Sequence, residues 1–179
     1  MPLNKIPLAV NVKLPADVAV TAAVEVPLTL EAQYSAKKKT YRYDFYLSVF
    51  PRPLYNDFAA QVKYAEEKFD AQKAEKALQK LVGTHDFTAF SSTGRPVKDA
   101  ARTLYDAHLV KNGDLYSVYV TGNGFLYNMV RIIVGTVEEI ALSARPLSDI
   151  DAAFATRDRL KCGKTFPAHG LTLVSVEYE

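Results

Sequence analysis

The stretch from Ala36 to Phe50 does most to limit the fold. Tyr41, Tyr43, Phe45, Leu47 and Val49 alternate with Arg42, Asp44, Tyr46 and Ser48. A period of two predicts a strand with one face buried and one open. Pro51 and Pro53 then end it, because proline cannot continue a hydrogen-bonded ladder. The next regular signal has helical spacing. Ala74, Ala77, Leu78 and Leu81 form a stripe, Lys73, Glu75 and Lys80 face out, Asp70 stands where an N-cap belongs, and Gly83 stands as a C-cap. Between these two elements, residues 57–65 read as a short strand or a loop.

Beyond the helix, Thr103–Val110 and Leu115–Thr121 read as strands joined by Lys111-Asn112-Gly113-Asp114. An Asn-Gly pair between apolar runs predicts a hairpin. Gly94–Lys98 reads as a loop. Phe125–Ala144 reads as one long buried helix with Phe125, Met129, Ile132, Thr136 and Ile140 on a face. Residues 149–158 read as a shorter helix capped by Ser148, and Leu171–Tyr178 as a closing strand. From residue 36 this is the β-α-β-β-α-β order of a ferredoxin-like α+β fold, an antiparallel sheet with helices on one face. The expected division is a lead-in over residues 1–35 and an α+β domain over 36–179. Pro2, Pro7 and Pro15 make regular structure improbable in residues 1–16, and Asp17–Val26 carries enough β-branched residues to suggest a strand.

Composition limits the function classes. The chain has 179 residues, 49% hydrophobic and 23% charged, as an ordinary globular chain does. Its single cysteine, Cys162, excludes an internal disulfide framework and a four-cysteine zinc site. The three histidines, His85, His108 and His169, show no ligand spacing, so no metal site is expected. No apolar run approaches the ~18 residues of a membrane span, and the N-terminus does not read as a signal peptide, so a cytoplasmic location is expected. A net charge of +2 does not announce a nucleic-acid partner, so such a reading must rest on local clusters.

Two such clusters stand out. In residues 34–50, Lys37, Lys38, Lys39 and Arg42 are interleaved with Tyr34, Tyr41, Tyr43, Phe45, Tyr46 and Phe50. Cations hold phosphates and aromatic faces stack bases. The plainer reading is a strand with core aromatics and edge-guarding lysines. The second feature is Arg131, inside Met129-Val130-Arg131-Ile132-Ile133-Val134. A guanidinium in so apolar a run needs a partner or a path to solvent, and its helical neighbours Tyr127, Asn128, Val134 and Gly135 include no acid. Gly124, Asn128, Arg131 and Gly135 share one side of the expected helix, where the glycines would admit a second backbone. His85-Asp86 reads as a turn with an Asp cap, and His169 as turn packing.

Read in order, LPADVAV, AQYSAKKKTYRY, GTHDFTAF, ARTLYDAHL, TGNGFLYNMVRIIVGTVEEI and RDRLKCGKTFPAHGLTLVSVEY resemble the tRNA pseudouridine synthase A family from about Leu14 to the end. The resemblance implies half of a pseudouridine synthase fold. It also implies a cofactor-free isomerisation of uridine in the tRNA anticodon arm. In such enzymes an aspartate initiates the reaction at a flipped-out nucleotide, a tyrosine stacks on the uracil and an arginine pairs with the aspartate. The tyrosine maps to Tyr41 in KTYRY and the arginine to Arg131 in NMVRIIVG. Asn128 and the cations Lys37, Lys38, Lys39 and Arg42 become the expected RNA contacts. The departure is that the family's Gly-Arg-Thr-Asp motif occurs nowhere in these residues, and Gln33 stands where arginine is common. The expectation is therefore a C-terminal portion that binds tRNA, is inactive alone, and associates with itself or with a missing N-terminal half. The alternative is a non-catalytic module for structured RNA.

Overall fold

The computed structural model describes residues 1–92 and 99–178; the Gly94–Lys98 loop lies outside the described residues. These fall into two compact units, residues 1–35 and 36–179.

The first unit has no buried residue. It carries a 3-10 turn at Leu3–Lys5 and a short helix, α1, at Ile6–Asn11. The prolines permit what they were expected to prevent. Pro2 caps the 3-10 turn and Pro7 lies in the first turn of α1, where an N–H would lack an acceptor anyway. Residues 17–26 form no strand. Their β-branched residues find no ladder partner within the unit, and a lone strand cannot satisfy its backbone groups. The Asn11 side chain instead donates to the Val20 carbonyl at 2.9 Å and accepts from its N–H at 2.8 Å.

The second unit is an α+β fold built on a mixed sheet of six strands among the described residues. The strands are β1 (Lys38–Leu47), β2 (Ala60–Val62), β3 (Gly83–Asp86), β4 (Ala101–Asn112), β5 (Leu115–Gly122) and β6 (Leu171–Glu177). The central order β6-β1-β5-β4 is antiparallel throughout, as the ferredoxin-like pattern requires. β3 extends the sheet beyond β4. One departure is β2, which pairs parallel to β1 at Phe45–Leu47, beyond the stretch of β1 that β6 occupies. The expected short strand is thus real, and it satisfies backbone groups that β6 leaves open.

Three helices follow: α2 (Ala71–Gln79), α3 (Met129–Ala141) and α4 (Ser148–Thr156). In α2, Asp70 caps the N–H groups of Gln72 and Lys73 at 3.0 Å, and Ala74, Ala77 and Leu78 are fully buried, as is Leu81 just beyond the helix; Lys80 is the C-cap, and Gly83 opens β3 instead. α2 packs on α3 and β4, and α3 reaches β1. The core lies between these helices and the sheet face bearing Tyr43, Phe45, Leu47, Val118 and Val120.

Three local expectations need correction. The long helix begins at Met129, four residues later than its apolar run, because Asn128 takes a left-handed conformation (φ +61°) that breaks the periodicity. Ser148 is the first residue of α4 and provides no side-chain cap. The second face of β1 is not open: Asp44 and Tyr46 are 4% and 1% exposed. Tyr46 is covered by Tyr55, with ring centres 5.3 Å apart, as the chain returns toward β2. The hairpin forms as expected, with Asn112 paired to Leu115 and Gly113 (φ +57°) as the first central residue of its turn.

Candidate functional site

The site forms where the middle of β1 meets the N-terminal end of α3. Strand alternation puts Lys39, Tyr41 and Tyr43 on the helix-facing side of β1, and Lys38, Thr40, Arg42 and Asp44 on the other. Tyr41 pairs with Val120 of β5 and with Leu173 of β6. The β1–β6 register shifts by one residue between Thr40 and Tyr41. Such a bulge re-aims side chains locally. The Tyr41 ring meets Phe125 edge-on, at 5.1 Å and 85°. Phe125 belongs to the turn before α3, so one aromatic pair joins β1 to the helix entry.

Arg131 sits in the first turn of α3. Its Nε–H donates to the Phe166 carbonyl at 2.5 Å, and its Nη1 donates to Asn128 Oδ1 at 2.8 Å. Both partners are neutral. Among the described residues no carboxylate pairs with this guanidinium, although it stands in the turn where the helix dipole disfavours a cation. Asn128 is doubly used, since its Nδ2 also donates to Ser92 Oγ at 3.0 Å. Its left-handed backbone turns the side chain back onto Arg131. Tyr43, one position further along the same face, donates its hydroxyl to the Pro167 carbonyl at 2.6 Å. Burial pushes the Tyr43 pKa well above that of an ordinary phenol, and the charge of Arg131 opposes the shift. This also places Tyr43 beside the guanidinium.

The structure joins Arg131 to Asn128 directly and Tyr41 to the helix entry through Phe125, with Lys39 on the face of Tyr41. Lys38 and Arg42 lie on the other face and are already paired. Lys38 Nζ is 3.1 Å from Glu177, and Arg42 Nε is 2.8 Å from Asp44. Arg42 also contacts Tyr119. Among the described residues no acid pairs with Lys37 or Lys39. Asp44, the carboxylate nearest Tyr41 in sequence, is held by Arg42 and by Ser117 Oγ at 2.6 Å, on the wrong face of the sheet. The histidines take packing roles. His85 stacks on Phe154 at 4.3 Å, His108 bonds Asp106 at 2.6 Å, and His169 lies in a 3-10 turn.

Of the two glycines expected to admit a second backbone, Gly135 does so. A Cβ there would lie 1.9 Å from the Lys164 carbonyl oxygen. Gly124 lies outside the helix, and a Cβ there would meet only Arg102 at 3.5 Å. Residues missed from the sequence are Ser92 and Phe166. Ser92 acts through a tertiary hydrogen bond, and Phe166 acts on Arg131 through its backbone carbonyl, which no side-chain pattern encodes.

The family model described as tRNA pseudouridine synthase matches residues 77–179, which include Arg131 and Phe166. Curated relatives extend the likeness over the whole chain. A tRNA pseudouridine synthase A from Caldicellulosiruptor saccharolyticus is 37% identical over 99% of this chain and 72% of its own length. Its counterpart from Halalkalibacterium halodurans is 41% identical over 95% of this chain and 64% of its own length. That from an Exiguobacterium species is 40% identical over 100% of this chain and 71% of its own length. With the model matching more than half of the chain and identities of this extent over nearly all of it, the chain belongs to the tRNA pseudouridine synthase family, a family of isomerases.

Proposed function

We propose that this chain supplies the base-stacking and cationic part of a tRNA uridine-to-pseudouridine isomerase, acting in the anticodon arm. The observation that carries the reading is Arg131. Its guanidinium is oriented by a carbonyl and an amide, at a dipole end that disfavours a cation, with no acid among the described residues to neutralise it. An arginine kept so is suited to receive a carboxylate. Isomerisation breaks a glycosidic bond, and the aspartate of a Gly-Arg-Thr-Asp motif is the group that would start it. These residues contain no such motif, and Asp44 cannot substitute because it is buried and paired on the opposite face of β1.

In this reading Tyr41, backed by Phe125, stacks on a uracil extruded from the RNA. Asn128 orients Arg131 as well as lining the RNA path. Lys37 and Lys39 take phosphates directly, whereas Lys38 and Arg42 exchange Glu177 and Asp44 for phosphate. The isolated chain binds tRNA without turning it over, in the cytoplasm, and associates as a homo-oligomer or with a further polypeptide carrying the carboxylate. No helix among the described residues is long and apolar enough to cross a membrane.

The test is tRNA binding measured by fluorescence anisotropy across a salt series. Four phosphate contacts give a slope of about −4 in log affinity against log salt, which falls to about −2 when Lys37 and Lys39 are both replaced by alanine. Tyr41→Ala loses about tenfold in affinity, the lower range of one stacked base. Salt-independent binding, or a Tyr41→Ala chain that binds as the parent does, overturns the reading.

A further inference from the structure

The segment from Gly163 to Pro167 has no regular secondary structure, yet successive residues of α3 hold it. Thr136 Oγ1 accepts the Gly163 N–H at 2.8 Å and itself donates to the Ile132 carbonyl at 2.8 Å. Glu139 Oε1 accepts the Lys164 N–H at 2.9 Å. Glu138, 1% exposed, accepts from Lys164 Nζ at 3.0 Å. The Phe166 N–H donates to the Arg131 carbonyl at 3.2 Å, and its own carbonyl receives the Arg131 Nε–H. From the other side Tyr43 binds the Pro167 carbonyl. The approach is close enough to need glycine on both chains. A Cβ on Gly163 would lie 2.5 Å from the Gly135 carbonyl oxygen, and one on Gly135 would strike Lys164.

These contacts share a geometric consequence. Each fixes how far the segment slides along α3, and that register decides whether the Phe166 carbonyl reaches the guanidinium. Losing one α3 anchor lets the carbonyl drift, and Arg131 then keeps only Asn128 as an orienting partner. A long side chain with one hydrogen bond samples many rotamers, whereas one held at Nε and Nη1 presents a single edge. We propose that residues 163–167 form a positioning strap for Arg131, and that Thr136 is a positioning residue of the isomerase site although it touches neither RNA nor the guanidinium. The inference rests on Arg131 being the site arginine.

The test uses side-chain and backbone hydrogen exchange by NMR on the full chain without RNA, so a failure of tRNA binding bears only on the functional reading. The Arg131 Nε–H resonance is assigned by its loss in Arg131→Lys. In the parent chain, the Arg131 Nε–H and the Gly163 amide are expected to show protection factors agreeing within about threefold, because one opening exposes both. Thr136→Val removes the hydroxyl at nearly constant volume. It lowers protection at both sites by about tenfold, and Thr136→Ser restores both. A purely structural Thr136 would lower the melting temperature without moving the Arg131 resonance, and that result overturns the proposal. Should Thr136→Val not fold, the parent chain still decides. An Arg131 Nε–H exchanging as fast as an exposed arginine, beside a protected Gly163 amide, overturns the proposal.

Discussion

The two ends of α3 each hold an arginine, and the two are treated in opposite ways. Arg145, just past the C-terminal end, lies 3.0 Å from Glu139 and 2.8 Å from Asp149, and also donates to the Lys161 carbonyl at 3.0 Å. Burial works against its charge, but the two carboxylates outweigh it and its pKa is raised. The helix dipole favours a cation there as well. Arg131, in the first turn, has neutral partners and an adverse dipole. One arginine is saturated and stabilises the fold. The other is oriented by neutral partners, with no counter-charge among the described residues, as the proposed function requires. The sequence already separates them in part, since Arg145 has Asp149 four residues on and Arg131 has no acid one helical turn away; tertiary structure then adds Glu139 to the first and neutral partners to the second.

The largest expected effect falls between the two ends. Gly135→Ala must displace a carbonyl oxygen 1.9 Å from the new Cβ and so should cost about 3 kcal/mol or more in urea denaturation. A near-neutral Gly135→Ala would mean that the strap does not hug the helix, and the distinction between the ends would lose its frame. Next comes Arg145→Gln. It strands two carboxylates whose side chains are 22% and 19% exposed, so about 2–3 kcal/mol is expected, less than for a fully buried pair. Arg131→Gln should cost less than about 1 kcal/mol, since it loses hydrogen bonds but relieves an unfavourable charge at the dipole. Equal costs at the two arginines would contradict the comparison.

A smaller effect sharpens it further. Glu138 lies in the last turn of the same helix, and burial raises its pKa above the ordinary 4.5 although Lys164 pulls it back. A carboxyl whose folded pKa exceeds its unfolded value keeps a proton in the folded chain that unfolding releases. Its contribution to stability is therefore full below about pH 4.5 and declines as pH rises toward the folded pKa. The stability difference between the parent chain and Glu138→Gln should shift against the parent as pH rises through that window, read from urea midpoints at successive pH values. A difference independent of pH would place Glu138 in the same protonation state in both forms. Smallest is Cys162, whose thiol burial pushes up to about 12. It should react with a thiol reagent at neutral pH only as fast as the chain unfolds.

Much of this was legible in the residues, for reasons that differ by element. The α2 stripe and its Asp70 cap are local, and locality is what periodicity reports. The β1 alternation placed Tyr41 and Tyr43 on the helix face. It did not reveal that Asp44 and Tyr46 would be buried, because their cover comes from a returning loop and from β5. The start of α3 was hidden by Asn128, whose left-handed backbone accompanies a side-chain bond to the distant Ser92 and another to Arg131 three residues on. The lysine run looked like one cluster, but strand alternation divides it between two faces and leaves Lys38 paired with Glu177. Arg131 stood out because nothing nearby could neutralise it, and among the described residues nothing distant does so either.

In the proposed function, Tyr41 and Arg131 are held ready for an aspartate that these residues do not supply. Chemical mapping of pseudouridine in unmodified tRNA incubated with the chain tests it most directly. No pseudouridine above the protein-free control is expected, with tRNA bound throughout. Pseudouridine that forms with the parent chain and disappears with Tyr41→Ala would contradict it, because a competent carboxylate would then have to lie within these residues.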